Sequence, residues 1–516
     1  MKIKHLALLT TALTLSMSAA MASDANEAYL LQNGFENSGS VNQSGGTGNR
    51  AGAVGNAMEQ ILTHNALTIL QSGNNNTVGT SAFNSNPGVL QSGGHSEANV
   101  TQSSNGNDVG AIQQIAIPVW PTTARTNMLT ILQEGTNGSN SVASVEQNYT
   151  GDSTGETNVV NITQTRTTAF ATTSSHDEAG NAVGNVKQDG TLQSATLTQT
   201  GGNNQIDLID QDGSGNSATV TQTTTGTVIG STYGNVVTAI IQNNTGFTLG
   251  NTATVTQLGQ RNGQGIFTNG GLYDFAGGVG AADSTVEQNG GDNSVSYSAV
   301  GDDNKFGFKQ LGTGNTVGLV DILGSGNETA AYQEGTGNVL NLLPIDGNDN
   351  NIGVIQAGFG GVGIAGFYNL ADISLTGGSD RNRIGVAQYG WSNGTDIYVD
   401  GDDNRLNVQQ IDDNPNGVDV DIIGNDNNNG VFDPLGVASS VSLTPGDITQ
   451  IGHTNTMMAS ITGDNNLFAT SQSGNNNTIT ATVNGYYNEF AVTQVGYSNV
   501  ATLTQSGSYN NAVIMQ

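Results

Sequence analysis

Carboxamide side chains are the most strictly spaced chemical groups in this sequence. Asn455, Asn466, Asn477, Asn488, Asn499 and Asn510 stand eleven residues apart, and Gly452, Gly463, Gly474, Gly485, Gly496 and Gly507 keep the same step. Gln450, Gln472, Gln494 and Gln516 recur every twenty-two residues, with Gln505 on the half-step. A carboxamide carries two N–H donors and an acceptor oxygen. Copies stacked one above another can therefore hydrogen-bond along the stack, and the chemistry implied is structural pairing. Upstream the register persists with slips: Gln288, Gln310, Gln333 and Gln356 step by twenty-two or twenty-three, while Gln188, Gln199, Gln211 and Gln222 follow the half-step.

Residues that commonly make and break bonds show no such order. His64, His95, His176 and His453 are isolated in the sequence and lack the spacing of metal ligands. Gly358, Gly360 and Gly363 satisfy GxGxxG, but a chain with 73 glycines meets that pattern by chance, and no strand-to-helix context follows it. A lyase or hydrolase on a repeat β scaffold needs paired acids or a basic residue in a cleft, and only 12 residues are Lys or Arg. The expectation is no catalytic residue, no cofactor and no metal site.

The elements that position the amides follow from the eleven-residue unit. In Asn251-Thr252-Ala253-Thr254-Val255-Thr256-Gln257, threonine alternates with Asn, Ala, Val and Gln, which places the two series on opposite faces of a strand. Asn499, Ala501, Leu503 and Gln505 alternate in the same way with Val500, Thr502 and Thr504. Gly and Asn between such segments suit the positive φ of tight turns. The fold class expected is all-β: a repeat β-solenoid with two strands per 22–23-residue coil, stacked as cross-β at about 4.8 Å per coil, with Gln and Asn ladders inside. Gln211 and Gln222 belong to the same expected ladder. No helix is expected after the N-terminal segment. Repeats are irregular over 23–125, clearer over 126–265, Asp-rich over 285–424 and most regular over 447–516. Segments 266–284, near 359–371, and 425–446 break the period and read as inserted loops or as hinges.

Composition sets further bounds. The chain has 516 residues, is 35% apolar and 5% aromatic, and carries 10% charged residues against a usual quarter. Several conventional cores cannot be filled from so little large apolar surface, so polar ordered groups must supplement it. Lys2 and Lys4, the apolar run from Leu6 to Met17 and the small residues before Ser23 read as a signal peptide over 1–22. No later stretch is long and apolar enough for a transmembrane helix. With no Cys, an exported chain is held by pairing and packing, not disulfides. A formal charge of −30 makes nucleic acid and anionic membranes poor partners.

The run Gln211-Asp212-Gly213-Ser214-Gly215-Asn216-Ser217-Ala218-Thr219-Val220-Thr221-Gln222 matches the curlin repeat Q-x-G-x-G-N-x-A-x-x-x-Q at every defined position. Gln494 to Gln505 and Gln505 to Gln516 match it with Ser498 and Tyr509 at the second Gly; Gln91 to Gln102 follows it with Ser96 at the Asn. Over roughly 186–265 and 447–516 the chain resembles the curlin family. That resemblance implies a secreted functional amyloid of a Gram-negative bacterium, passed through an outer-membrane secretion pore. Its partners would be further copies of itself and a nucleator subunit, in curli-like fimbriae for cell adhesion and biofilm. Family members are much shorter, and their leading Ser is replaced here by Gln205 and Asn488.

A solenoid end templates a further chain unless it is capped. Between Gln450 and Gln516 the formal side-chain charges are Asp464 and Glu489, and no Pro occurs, so end-to-end stacking is expected to be seeded through 447–516. Asp302, Asp303, Asp346, Asp349, Asp402, Asp403, Asp412 and Asp413 load the middle turns, as gatekeepers against premature pairing or as ordinary turn formers. Two other readings are a calcium-binding solenoid with acidic turns and an ice-binding one with outward Thr-x-Thr pairs such as Thr254 with Thr256 and Thr502 with Thr504.

Overall fold

A computed structural model describes residues 26–80, 88–116, 126–135, 140–150, 157–166, 180–225, 234–244, 246–247, 249–268, 275–342, 344–358, 369–375, 378–412 and 415–516. The signal-peptide reading and most of the inserted segment near 359–371 lie outside these residues, as do His176 and Asp413. Two compact units divide the chain, residues 1–220 with 227–233, and residues 221–226 with 234–516.

In the first unit, one parallel sheet runs in order through Leu30–Phe35, Met58–Thr63, Val89–Gly94, Asp108–Ala116, Ser141–Tyr149, Ala182–Thr191 and Gln205–Ser214. A second runs through Ser38–Ser44, Ala66–Ser72, Glu97–Gln102, Asn127–Gly135, Asn158–Arg166 and Ser194–Thr200. The chain alternates between the sheets, so two strands make one coil, and these strands pair in parallel, as stacked coils require; an antiparallel bridge, Ala53 to Asn56, lies outside them.

The second unit repeats this plan. Its first sheet begins at Val236–Asn243, Thr285–Asn289 and Lys305–Thr313 and ends at Leu467–Asn475, Glu489–Tyr497 and Asn511–Met515. Its second sheet begins at Thr252–Gly259 and Ser294–Val300 and ends at Thr456–Thr462, Thr478–Asn484 and Val500–Ser506. The pairing thins in the middle of this second sheet, where Leu375 to Val399 and Gly417 to Thr456 are single bridges.

Alternation within each strand builds the core. Along Thr252–Gly259, Ala253, Val255 and Gln257 are buried while Thr252, Thr254 and Thr256 face outward. Aromatic residues stack up the core as the amides do: Phe468 lies over Phe490 with ring centroids 5.4 Å apart, and Tyr297 packs on Phe306 at 4.6 Å. Burial pushes the Tyr297 hydroxyl above its ordinary value, and the group stays neutral.

Two expectations need correction. Short helical turns do occur, Phe275–Gly278 and Val437–Val441, both inside inserted segments. Residues 425–427, read as part of an inserted loop, belong to a regular turn: the backbone N–H of Asn427 donates to Asn404 Oδ1 at 3.0 Å, and Asn427 Oδ1 accepts from Asn466 N at 2.9 Å. The chain leaves the stack only after Asn428, and it leaves after Gly263 in the other insertion. Each insertion thus interrupts a first-sheet strand just past its turn, then returns to finish the same strand.

Candidate functional site

Glutamines form continuous amide ladders at the buried position of successive strands. In the first sheet of the first unit, Nε2 of each donates to Oε1 of the next from Gln32 through Gln60, Gln91, Gln114, Gln147 and Gln188 to Gln211, at 2.6–2.9 Å. A parallel ladder in the second sheet runs from Gln43 to Gln199. In the second unit the ladder runs from Gln242 to Gln516 at 2.8–3.1 Å, through Gln450, Gln472 and Gln494. The second Nε2 hydrogen crosses to the facing sheet, as from Gln472 to Thr456 O at 3.0 Å. Each amide therefore has its polar atoms satisfied without water, which makes a buried polar column tolerable.

Gln222 also pairs as expected, with Gln257 at 2.9 Å, but there the second-sheet ladder stops. Ala299 and Ile322 take the position in the following coils, and Ile461 and Val483 near the end. Gln505 is consequently a correction: expected in a ladder, it stands in register with Val483. Its Nε2 donates to Glu489 O at 3.1 Å, while its buried Oε1 has no partner.

Asparagines of the turns form a second kind of ladder. Backbone N–H of Asn477, Asn499, Asn488 and Asn510 donates to Oδ1 of Asn455, Asn477, Asn466 and Asn488 at 3.0–3.1 Å. Nδ2 of Asn455, Asn466, Asn477 and Asn488 donates to the carbonyls of Gly474, Gly485, Gly496 and Gly507 at 2.8–3.1 Å. Gly452 and Gly463 adopt φ of 103° and 114°, and a Cβ on either would strike the carbonyl of the glycine one coil on. Glycine is required there by both conformation and space.

A third ladder lies on the outside of one turn column and was not anticipated. Backbone N–H of Gln260, Asp302, Ser325, Asn348, Asp380, Asp402 and Asn425 each donates to the side-chain oxygen one coil on, ending at Asp464. Asp302 and Asp402 thus hold turns together. Beyond Asp464 the turns become aromatic: Tyr486 takes its place one coil on, and at the next position Tyr487 and Tyr509 stack with centroids 5.1 Å apart. The histidines also depart from expectation, since His64 and His95 stack at 4.5 Å on neighbouring coils.

The two insertions are built alike, as straps across the outer face of the first sheet. Gly265-Ile266-Phe267 opens one and Gly430-Val431-Phe432 the other. In the first, Thr268 N donates to the Glu328 carboxylate at 3.0–3.1 Å and Ala276 N to Asn351 Oδ1 at 2.8 Å. In the second, Asp433 N donates to Glu489 Oε1 at 2.9 Å and Ala438 N to Asn511 Oδ1 at 2.8 Å. Glu328 pairs in register with Asn351, and Glu489 with Asn511. Phe267, Ala276 and Val279 cover Ala330, while Phe432 and Ala438 cover Ala469 and Ala491. The shared Gly-aliphatic-Phe opening was the available sequence signal. A 470 Å³ groove beside the first strap holds Lys305, Glu328, Arg381 and Arg383, where Lys305 is paired with Glu328 and Arg381 with Asp403.

Threonines repeat on the outer second sheet, with Thr456 Oγ1 donating to Thr478 Oγ1 at 3.2 Å, but Met458 and Val500 interrupt the array. Asp372, Asp419 and Asp421 are pushed above the ordinary carboxylate value, by burial first and then by the Asp396 charge. Among the described residues, no group of three His, Asp or Glu side chains is arranged to hold a metal ion. No helix among them is long and apolar enough to cross a membrane.

At the last coil the strands Asn511–Met515 and Val500–Ser506 each pair with one neighbouring strand among the described residues. Gln516 Nε2 donates to Val500 O at 3.0 Å, leaving its second hydrogen available. No protein-family model matches the chain, and no curated protein matches it.

Proposed function

We propose that the chain is a structural protein that self-assembles end to end into curli-like amyloid fibres, with no enzymatic role. The observation that carries this reading is the Gln242–Gln516 ladder, which reaches the strand Asn511–Met515 with a donor still available beside an edge that no other described strand pairs. An in-register parallel edge with one more amide to give is a template for another such strand. The signal-like N-terminus and the curlin-type repeats extend the reading to export from a Gram-negative cell, surface adhesion and a biofilm matrix, with a nucleator and a secretion pore as partners.

Electron microscopy, Congo red binding and fibre diffraction of the purified chain test the proposal. Fibres with a meridional spacing near 4.8 Å are expected. A chain that stays monomeric at high concentration for days would overturn it. Deleting 447–516 is expected to lengthen the thioflavin-T lag, and an unchanged lag would remove that block from the seeding role.

A further inference from the structure

The ladders have a direction in each unit, so the leading edge of the first unit and the trailing edge of the second differ chemically. Each Gln gives Nε2–H to the next coil and receives at Oε1 from the previous one. At the first described coil, Gln32 and Gln43 donate onward to Gln60 and Gln71, and no described residue donates to their Oε1 atoms. At the last coil, Gln505 and Gln516 each use Nε2 once, to Glu489 O and Val500 O, and keep one hydrogen for a following coil. Asparagines show the reverse polarity. Asn499 and Asn510 present Oδ1, while Asn26 and Asn37 at the other edge accept from Asn49 N and Asn65 N, and no described residue accepts from their backbone N–H groups. One end thus offers two Gln donors and two Asn acceptors, and the other two Gln acceptors and two Asn donors, with six residues from Asn to Gln in all four half-coils.

The heights of the strands restrict how these ends meet. A coil climbs about 4.8 Å, so facing strands are offset by about half of that. The last described first-sheet strand, Asn511–Met515, follows Val500–Ser506 and stands half a coil above it. An incoming copy begins with Leu30–Phe35 and then Ser38–Ser44, the latter half a coil higher. Both edges are filled without a missing strand only when the first of these lies on Val500–Ser506 and the second on Asn511–Met515.

The second strap restricts the same choice independently. In the first strap, Phe275 precedes the clamped Ala276 and lies over the next coil, leaving no room for a Cβ at Gly385, three residues before Gln388. Val437 holds the corresponding place before Ala438 and is 50% exposed; by analogy with Phe275 it would lie over a coil added after Asn511–Met515. Three residues before Gln43 is Ser40; three before Gln32 is Tyr29. A serine at that position would need little room beneath Val437, whereas a tyrosine would need far more.

We infer that a second copy of this chain docks with a half-turn about the stack axis, laying Ser38–Ser44 on Asn511–Met515 and Leu30–Phe35 on Val500–Ser506. Gln516 then donates to Gln43 and Gln505 to Gln32 of the incoming copy. Inward neighbours also match: Leu30 meets Leu503, Ala28 meets Ala501, and Val41 meets Ile514. This inference rests on the self-assembly proposed above and specifies its geometry.

The chain has no cysteine, so disulfide trapping in assembled material is clean. Stacked strands place equivalent Cα atoms within the range a disulfide spans. With the half-turn, Asn42→Cys plus Met515→Cys is expected to give a ladder of covalent multimers on a denaturing gel. Leu31→Cys plus Met515→Cys is expected to give none, because Leu31 then sits over Thr504. Fibres that cross-link only in the Leu31 pair, or in neither pair, overturn the half-turn while leaving self-assembly intact. Absence of fibres by electron microscopy in the parent chain overturns self-assembly itself, and the half-turn with it.

Discussion

At the residue scale the decisive property is what lies one coil away. Gln472 receives from Gln450 and gives to Gln494, so Gln472→Ala strands a buried donor on one side and a buried acceptor on the other. Leaving such groups unsatisfied costs about 1–3 kcal/mol each, and a clear fall in the urea midpoint is expected. Gln505→Leu is expected to behave oppositely in the unassembled chain. It removes an unpaired buried oxygen and extends the Ile461 and Val483 column, so stability holds or rises, while copy addition slows because a docking donor is lost. Ser498 sits at φ 57°, a strained conformation for any side chain, and Ser498→Gly is expected to stabilise by about 1 kcal/mol or less. The eleven-residue step made the ladder asparagines, glycines and most glutamines legible from sequence. Gln505 was not, because its spacing is perfect and only the identity of Val483 across the strand pair spoils it. The stack of His64 on His95 escaped for a related reason, since thirty-one residues separate them across a coil lengthened by insertion.

At the scale of elements, the straps show what periodicity could and could not reveal. Loss of the period located both insertions, but nothing in a broken pattern says that the loop lies back on the sheet. Contacts with residues far along the chain decide that, chiefly Glu328 and Asn351 for one strap and Glu489 and Asn511 for the other. The residues beneath are small for this reason: Gly307, Ala330, Gly353 and Gly385 under the first, Ala469 and Ala491 under the second. Where neither strap reaches, the equivalent positions turn polar, and Asn407 Nδ2 donates to Asp447 at 3.1 Å. Glu328, only 7% exposed, receives from Thr268 N, Thr268 Oγ1, Lys305 Nζ and Asn351 Nδ2. Glu328→Ala removes these acceptors together and leaves an ammonium unpaired, which is expected to cost about 3 kcal/mol. Limited proteolysis with mapping of the first cut checks it: cleavage should move into 264–284 in the variant, and an unchanged pattern would show that the clamp does not hold the strap.

At the scale of the whole molecule, charge opposes the pairing that the backbone favours. The chain carries −30, and in the second unit Asp372, Asp419 and Asp421 are raised by burial and by the neighbouring Asp396. A carboxyl group whose folded value exceeds its unfolded one binds its proton more tightly when folded. Its stabilising contribution is therefore complete below the unfolded value, near 3.8, and is lost as pH rises through the raised value. The expected result is an unfolding midpoint of the unassembled chain that climbs as pH falls from 7.5 toward 4.5, opposite to ordinary acid denaturation. Asp396→Asn should flatten that dependence by raising the midpoint at pH 7.5. Acid also discharges the surface, so fibre lag should shorten over the same range for a second reason, repulsion between copies. Salt separates the two causes. At pH 7.5, added sodium chloride screens exposed charges over about 10 Å at 0.1 M without protonating a carboxylate. It should shorten the lag of parent and Asp396→Asn chains alike. When the pH is lowered at high salt both chains should gain, because burial still raises Asp372, Asp419 and Asp421 in the variant, but the parent should gain more; equal gains in both would mean that the Asp396 charge plays no part.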